Sequence, residues 1–214
     1  MEMSTDTPYE KPVLVVLTLL ALTASGVHPF DRLTWFLETS PVMLGLPLLV
    51  ATRSRFLLTP LVYRLLFIHG LILMLGGAYT YARVPLGFWV QDAFELSRNH
   101  YDRLGHLAQG FVPAMLTREI LVRATPLRPG GWLFFLTTCV VLAFSACYEF
   151  FEWGAALVMG GEADAFLATQ GDVWDTQWDM FLALLGALIA QALLSRRHDR
   201  QLARLSGGTA AWRG

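Results

Sequence analysis

Apolar residues in this chain run in long blocks instead of recurring on one helical face at a time. Residues 13–27 contain no charge at all, and five further stretches are nearly as apolar. A hydrocarbon core of about 30 Å needs roughly 20 residues of helix. Six segments approach or meet that length, at about 12–28, 33–51, 62–82, 101–121, 132–154 and 177–195. The pattern predicts an all-α fold: a polytopic membrane protein, a bundle of about six transmembrane helices. The first segment is short and should cross with little tilt. Glu38, Pro41 and Pro47 interrupt the second, which is expected to kink. Residues 1–11 then form an N-terminal segment, 12–195 the transmembrane domain and 196–214 a basic tail. Glu2, Asp6 and Glu10 beside a single Lys11 make a poor positive leader, so the first helix is read as retained rather than cleaved.

Composition agrees. The chain is 55% hydrophobic and 15% charged, against about a quarter charged in a soluble domain. A net charge of −1 provides no bulk attraction to nucleic acid, and no zinc-finger spacing, Walker loop or GxGxxG pattern occurs. Cys139 and Cys147 stand eight apart, about 12 Å on a helix, too far for a disulfide. They read as small buried hydrophobes. Lys and Arg set the direction: twelve of sixteen fall in the N-terminus, the 2–3 and 4–5 connections and the C-terminus. The positive-inside rule therefore expects both termini in the cytoplasm. Twelve of the seventeen acids lie on the opposite side, an asymmetry the insertion rule does not explain.

Those outer acids fall on helical stripes. Asp102, His106, Gln109 and Pro113 share one face of the fourth span; Ser145, Glu149 and Glu152 share one on the fifth. Asp175 and Asp179 are a turn apart at the start of the sixth, with Asp172 leading in and Glu38 of the second at similar depth. Singly, each has a plain explanation. Asn99 can cap a helix with Asp102 in its first turn, and Asp172 or Asp175 can do the same for the last span. Together they point to one shared polar site, because an Asp at mid-membrane costs about 2.5–3.5 kcal/mol and must find partners. Carboxylates cannot partner one another while all are ionised, so the cluster needs protons, Arg98, Arg103 or a cation.

One histidine among carboxylates, without thiolates, suits a divalent metal such as Mg, Mn, Zn or Fe. Asp102, His106, Glu149, Glu152, Asp175 and Asp179 are the candidate ligands, and Asp102, His106, Glu149 and Asp179 the candidate catalytic groups. Arg103, Gln109 and Tyr148 are candidate substrate contacts. Such a site would let a hydrolase or transferase act on an envelope lipid or lipid-linked substrate. A proton- or cation-coupled transporter, or a non-catalytic assembly protein, would use the same acids differently. Transport predicts polar residues continuing inward, whereas spans four to six turn apolar below Gln109, Ser145 and Asp179. Ala183, Gly186, Ala187 and Ala190 form small-xxx-small pairs that should let the last span pack closely. His69 reads as a satisfied packing residue.

The blocks NHYDRLGHLAQGFVPAMLTRE, SACYEFFEW and GDVWDTQWDMFLALLGA resemble those of the YjdF-like family of bacterial inner-membrane proteins, over roughly residues 12–195. The resemblance implies the multi-pass fold and the inner membrane, and no reaction. A looser likeness relates Asp102 and His106, Glu149 or Glu152, and Asp179 before LLGA to the VanZ-like family. It implies only an association with the cell envelope.

Overall fold

A computed structural model describes residues 9–160 and 164–205. Among these the regular elements are all helical: α1 (Glu10–Val27), α2 (Arg32–Thr52), α3 (Pro60–Tyr79), a 3-10 turn (Tyr81–Arg83), α4 (Pro85–Ala93), α5 (Tyr101–Ala124), α6 (Gly131–Met159), α7 (Asp164–Leu167) and α8 (Asp175–Leu205). The six long helices fall on the six expected segments. Five of them, α1, α2, α3, α6 and α8, are long and apolar enough to cross a membrane. The sixth, α5, carries Asp102, Arg103, His106, Arg118, Glu119 and Arg123 along 24 residues. It tolerates them because it is central, packed against α3, α6 and α8, with Asp102, His106, Arg118 and Glu119 buried in protein.

The helix ends follow local chemistry. Asp31 caps α2 by accepting from the Thr34 N–H at 2.7 Å, and Thr59 caps α3 ahead of Pro60. α2 runs through Pro41 and Pro47 as one helix. Pro41 has no N–H for the Leu37 carbonyl, and the Ser40 hydroxyl donates to it instead at 2.7 Å. The stretch after α3, expected as a plain connection, holds α4. Its exposed Leu86, Phe88, Trp89 and Val90 give it the apolar face of an interfacial helix.

α5 and α8 form the tightest pair. A Cβ at Gly110 would overlap the Ala183 carbonyl, and one at Gly186 would overlap the backbone of Leu107 and Phe111. The small-residue pairs of the last span therefore do bring two backbones together. Ala114, Met115, Ala187 and Ala190, all fully buried, fill the middle of the bundle. The cysteines depart from expectation. Cys139 and Cys147 are both exposed, because they share the face of α6 that points away from the bundle. His69 also differs from a satisfied residue, since its Nε2 has no hydrogen-bond partner. Finally, α8 does not end near residue 195 but continues to Leu205, with His198 and Leu202 fully buried.

Candidate functional site

The pocket is built from the start of α5. Asn99 is buried, its side-chain oxygen accepts from the Tyr101 N–H at 3.0 Å, and its amide donates to the Val84 carbonyl at 3.0 Å. Gln170 clamps the Asn99 backbone from the α7–α8 connection, at 3.2 and 2.8 Å. Asp102 thus lies in the first turn of α5, just after this Asn99 turn, and also faces the pocket. Asp172 likewise accepts from the Trp174 N–H at 2.9 Å while its other oxygen meets the pocket arginines.

Arg103 is the hub. Its Nη2 donates to Asp175 at 2.6 Å and Asp172 at 3.0 Å, its Nη1 bonds Asp179, and Asp102 lies 3.6 Å away. Arg98 reaches Asp172 and Asp175 at 3.3 Å and the Ala168 carbonyl at 3.2 Å. Two guanidinium groups therefore answer four aspartates. Partial burial and the charges of Arg98 and Arg103 hold the His100 imidazole below its ordinary range.

His106 faces the same acids from one turn deeper. Its Nδ1 lies 2.8 Å from the Gln109 carbonyl oxygen. With that oxygen accepting, Nδ1 carries a proton, and the ring is turned so that Nε2 faces the acids. Nε2 looks toward Asp102 at 3.5 Å and Asp179 at 3.7 Å, beyond normal hydrogen-bond length. One ligand atom from each of Asp102, His106 and Asp179 lies within 4.8 Å of the others, and all three residues are buried.

α6 and α2 close the pocket. Glu149 is buried with Oε1 unpartnered, and Asp102 Oδ2 also lacks a hydrogen bond. Glu149 and Glu152 lie close enough to interact electrostatically with His106 and Asp102. The Tyr148 hydroxyl donates to Glu38 at 3.3 Å, and its ring meets His106 edge-on at 6.4 Å. Tyr81, seated where Cβ atoms on Gly76 and Gly105 would collide with its ring, also reaches Glu38. Seven carboxylates (Glu38, Asp102, Glu149, Glu152, Asp172, Asp175, Asp179) thus share two guanidinium groups and one imidazole. That surplus requires protons or a further cation. The structure brings together every candidate residue from the sequence, with changed emphasis. Gln109 serves His106, Tyr148 serves Glu38, and Arg103 is engaged by aspartates. Tyr81 and the Asn99–Gln170 clamp had no periodic signal.

A second polar cluster, unforeseen from the sequence, occupies the other end of α5. Glu119 and His198 are fully buried. Glu119 accepts from the Thr59 N–H at 3.0 Å, the Thr59 hydroxyl and Arg123 at 2.7 Å, and His198 Nε2 at 3.0 Å. Arg118 donates to His198 Nδ1 at 3.0 Å and pairs with Asp199 at 2.7 Å. Every member is partnered, which is a structural tie. The expectation that spans four to six stay apolar below the pocket is therefore wrong at this end. Yet Val112, Ala114, Met115, Ala183 and Ala187 form a buried apolar layer between the two clusters.

Residues 11–200 match the family described as predicted membrane protein (DUF2238). The chain is 54% identical over 198 residues to inner membrane protein YjdF of Escherichia coli (strain K12), covering 91% of this chain and 95% of that protein. Neither finding carries the looser VanZ-like likeness. No solved structure matches.

Proposed function

Since this chain belongs to the DUF2238 family of multi-pass bacterial inner-membrane proteins, we propose that its acid-rich pocket is a divalent-metal centre acting on an envelope lipid. The observation that carries this reading is His106. Gln109 holds one imidazole nitrogen and so turns Nε2 toward Asp102 and Asp179, as a hydrogen-bonded neighbour commonly orients a metal-ligating histidine. Asp102, His106 and Asp179 would hold the cation, with Glu149, Glu152 and Asp175 as further oxygen donors nearby. The carboxylate surplus, the unpartnered Oε1 of Glu149 and an Asp102 Oδ2 that only Arg103 approaches, at 3.6 Å, fit such an ion. A cation held there would polarise a phosphoryl or acyl oxygen. Glu149, with one oxygen unpartnered, is placed to accept a proton. Arg98 and Arg103 keep the α8 acids in register. The exposed Trp153, Trp174 and Trp178 support a pocket at the boundary of hydrocarbon and headgroups, where a lipid phosphate or ester would reach it.

Transport through the bundle is disfavoured by the buried apolar layer between the two polar clusters. The positive-inside rule places the pocket on the periplasmic side with both termini in the cytoplasm.

The test is metal content of detergent-purified protein by plasma mass spectrometry, with His106→Ala and Asp179→Asn beside the unaltered chain. About one equivalent of metal, lost in both variants while helicity is kept, is the expected result. No metal in the unaltered chain, even after dialysis against Mg, Mn or Zn, would overturn the proposal. Release of phosphate or fatty acid from lipid in mixed micelles then tests the reaction.

A further inference from the structure

The end of α8 has no role in the pocket, and its geometry asks for one. Its 31 residues are about 46 Å long at 1.5 Å per residue, some ten residues more than a 30 Å hydrocarbon core takes up. With Asp175 at the pocket, the helix leaves the core near Leu194, and Arg196, Arg197, Arg200 and Arg204 follow at once. At 3.6 residues per turn these four fall within an arc of about 100°. Gln191, His198 and Leu202, all buried, occupy the opposite side.

That buried side is fastened. His198 is tied to Glu119 and Arg118, and Gln201 accepts from the Leu61 N–H at 2.9 Å, joining α8 to the first turn of α3. Asp199, the acid on this stretch, is taken up by Arg118 at 2.7 Å. Among the described residues, Arg196, Arg197 and Arg200 are exposed and make no ion pair. They rise over about 6 Å of helix axis, comparable to the 5–8 Å that each headgroup layer adds beyond the hydrocarbon.

We propose that this arginine face is a binding surface for anionic phospholipid headgroups. Three planar guanidinium forks held on a rigid helix suit the phosphate diester of such a lipid, and their level in the bilayer places them beside it. The surface needs no particular orientation of the chain, and it stands apart from the metal reading of the pocket.

The test is native mass spectrometry of the full-length protein in mixed micelles containing equal dioleoylphosphatidylglycerol and dioleoylphosphatidylcholine. The unaltered chain should retain phosphatidylglycerol on the order of a hundredfold over phosphatidylcholine, since each of three basic residues clustered at the surface contributes severalfold to anionic lipid binding. Arg196→Gln/Arg197→Gln/Arg200→Gln should lose that preference. A charge-matched control, Arg32→Gln/Arg53→Gln/Arg128→Gln, should keep it. Equal retention of the two lipids by the unaltered chain, as expected if this face meets a protein instead, overturns the proposal. So does an equal loss in the control, which would reduce the effect to net charge. If the triple variant fails to fold, Arg197→Gln and Arg200→Gln singly should each lower the preference severalfold, and no change in either overturns it.

Discussion

Gln109 and Glu119 sit on one helix, ten residues apart, and show how differently a buried polar side chain can be used. Gln109 makes one bond, to His106 Nδ1, and leaves the other imidazole nitrogen to face two aspartates. Gln109→Leu should keep the fold and weaken metal binding about 10–100-fold, measured by calorimetric titration of the purified protein. An unchanged affinity would remove Gln109 from the site. Glu119 instead takes hydrogen bonds from Thr59, Arg123 and His198. Glu119→Ala strands buried positive groups and should cost about 3–5 kcal/mol, seen as a lowered melting temperature in detergent. Legibility differed in the same way. Asp102, His106 and Gln109 were readable because one helix face brings them together at four- and three-residue spacings. Glu38 and Tyr148, 110 residues apart, and Glu119 and His198, 79 apart, meet only through packing that no local pattern records.

The helices themselves were legible because the bilayer sets their length and demands that every backbone group be satisfied within the segment. The second span keeps its helix through both prolines, with the Ser40 hydroxyl serving the carbonyl that Pro41 leaves unpaired. α4 was not foreseen, since nine residues are too few for a span and its face is made by the interface. The pairing of α5 with α8 rests on absent side chains. Gly110→Val or Gly186→Val would drive a branched side chain into the facing backbone. Each should destabilise by at least about 1–3 kcal/mol and disturb the pocket, because Asp179 and His106 lie one to two turns away on the same two helices. Gly45→Ala, with no atom within 4 Å of the new Cβ, should be neutral or stabilise by a few tenths to about 1 kcal/mol. Thermal melts of the three variants check this.

Over the whole molecule, six crossings would place both ends of the chain on one side, and the arginines predict the cytoplasm. A fluorescent protein fused after Leu205 should fold and fluoresce in the cytoplasm, while a thiol introduced by Trp174→Cys should react with an impermeant reagent from the periplasm. The reverse pattern would move the pocket to the inner face. The sequence by itself determined the class, the six helical segments, and which acids share helix faces near one end of the bundle. Each of those follows from hydropathy, length and helical period, which are properties of short stretches. Only the tertiary structure decided that α5, too polar to rank with the five apolar spans, stands at the centre, that Arg103 binds four aspartates, and that the tail is a fastened helix with an arginine face. Those depend on which helices touch, and a charge inside a membrane is tolerable only where a partner from a distant part of the chain arrives to meet it.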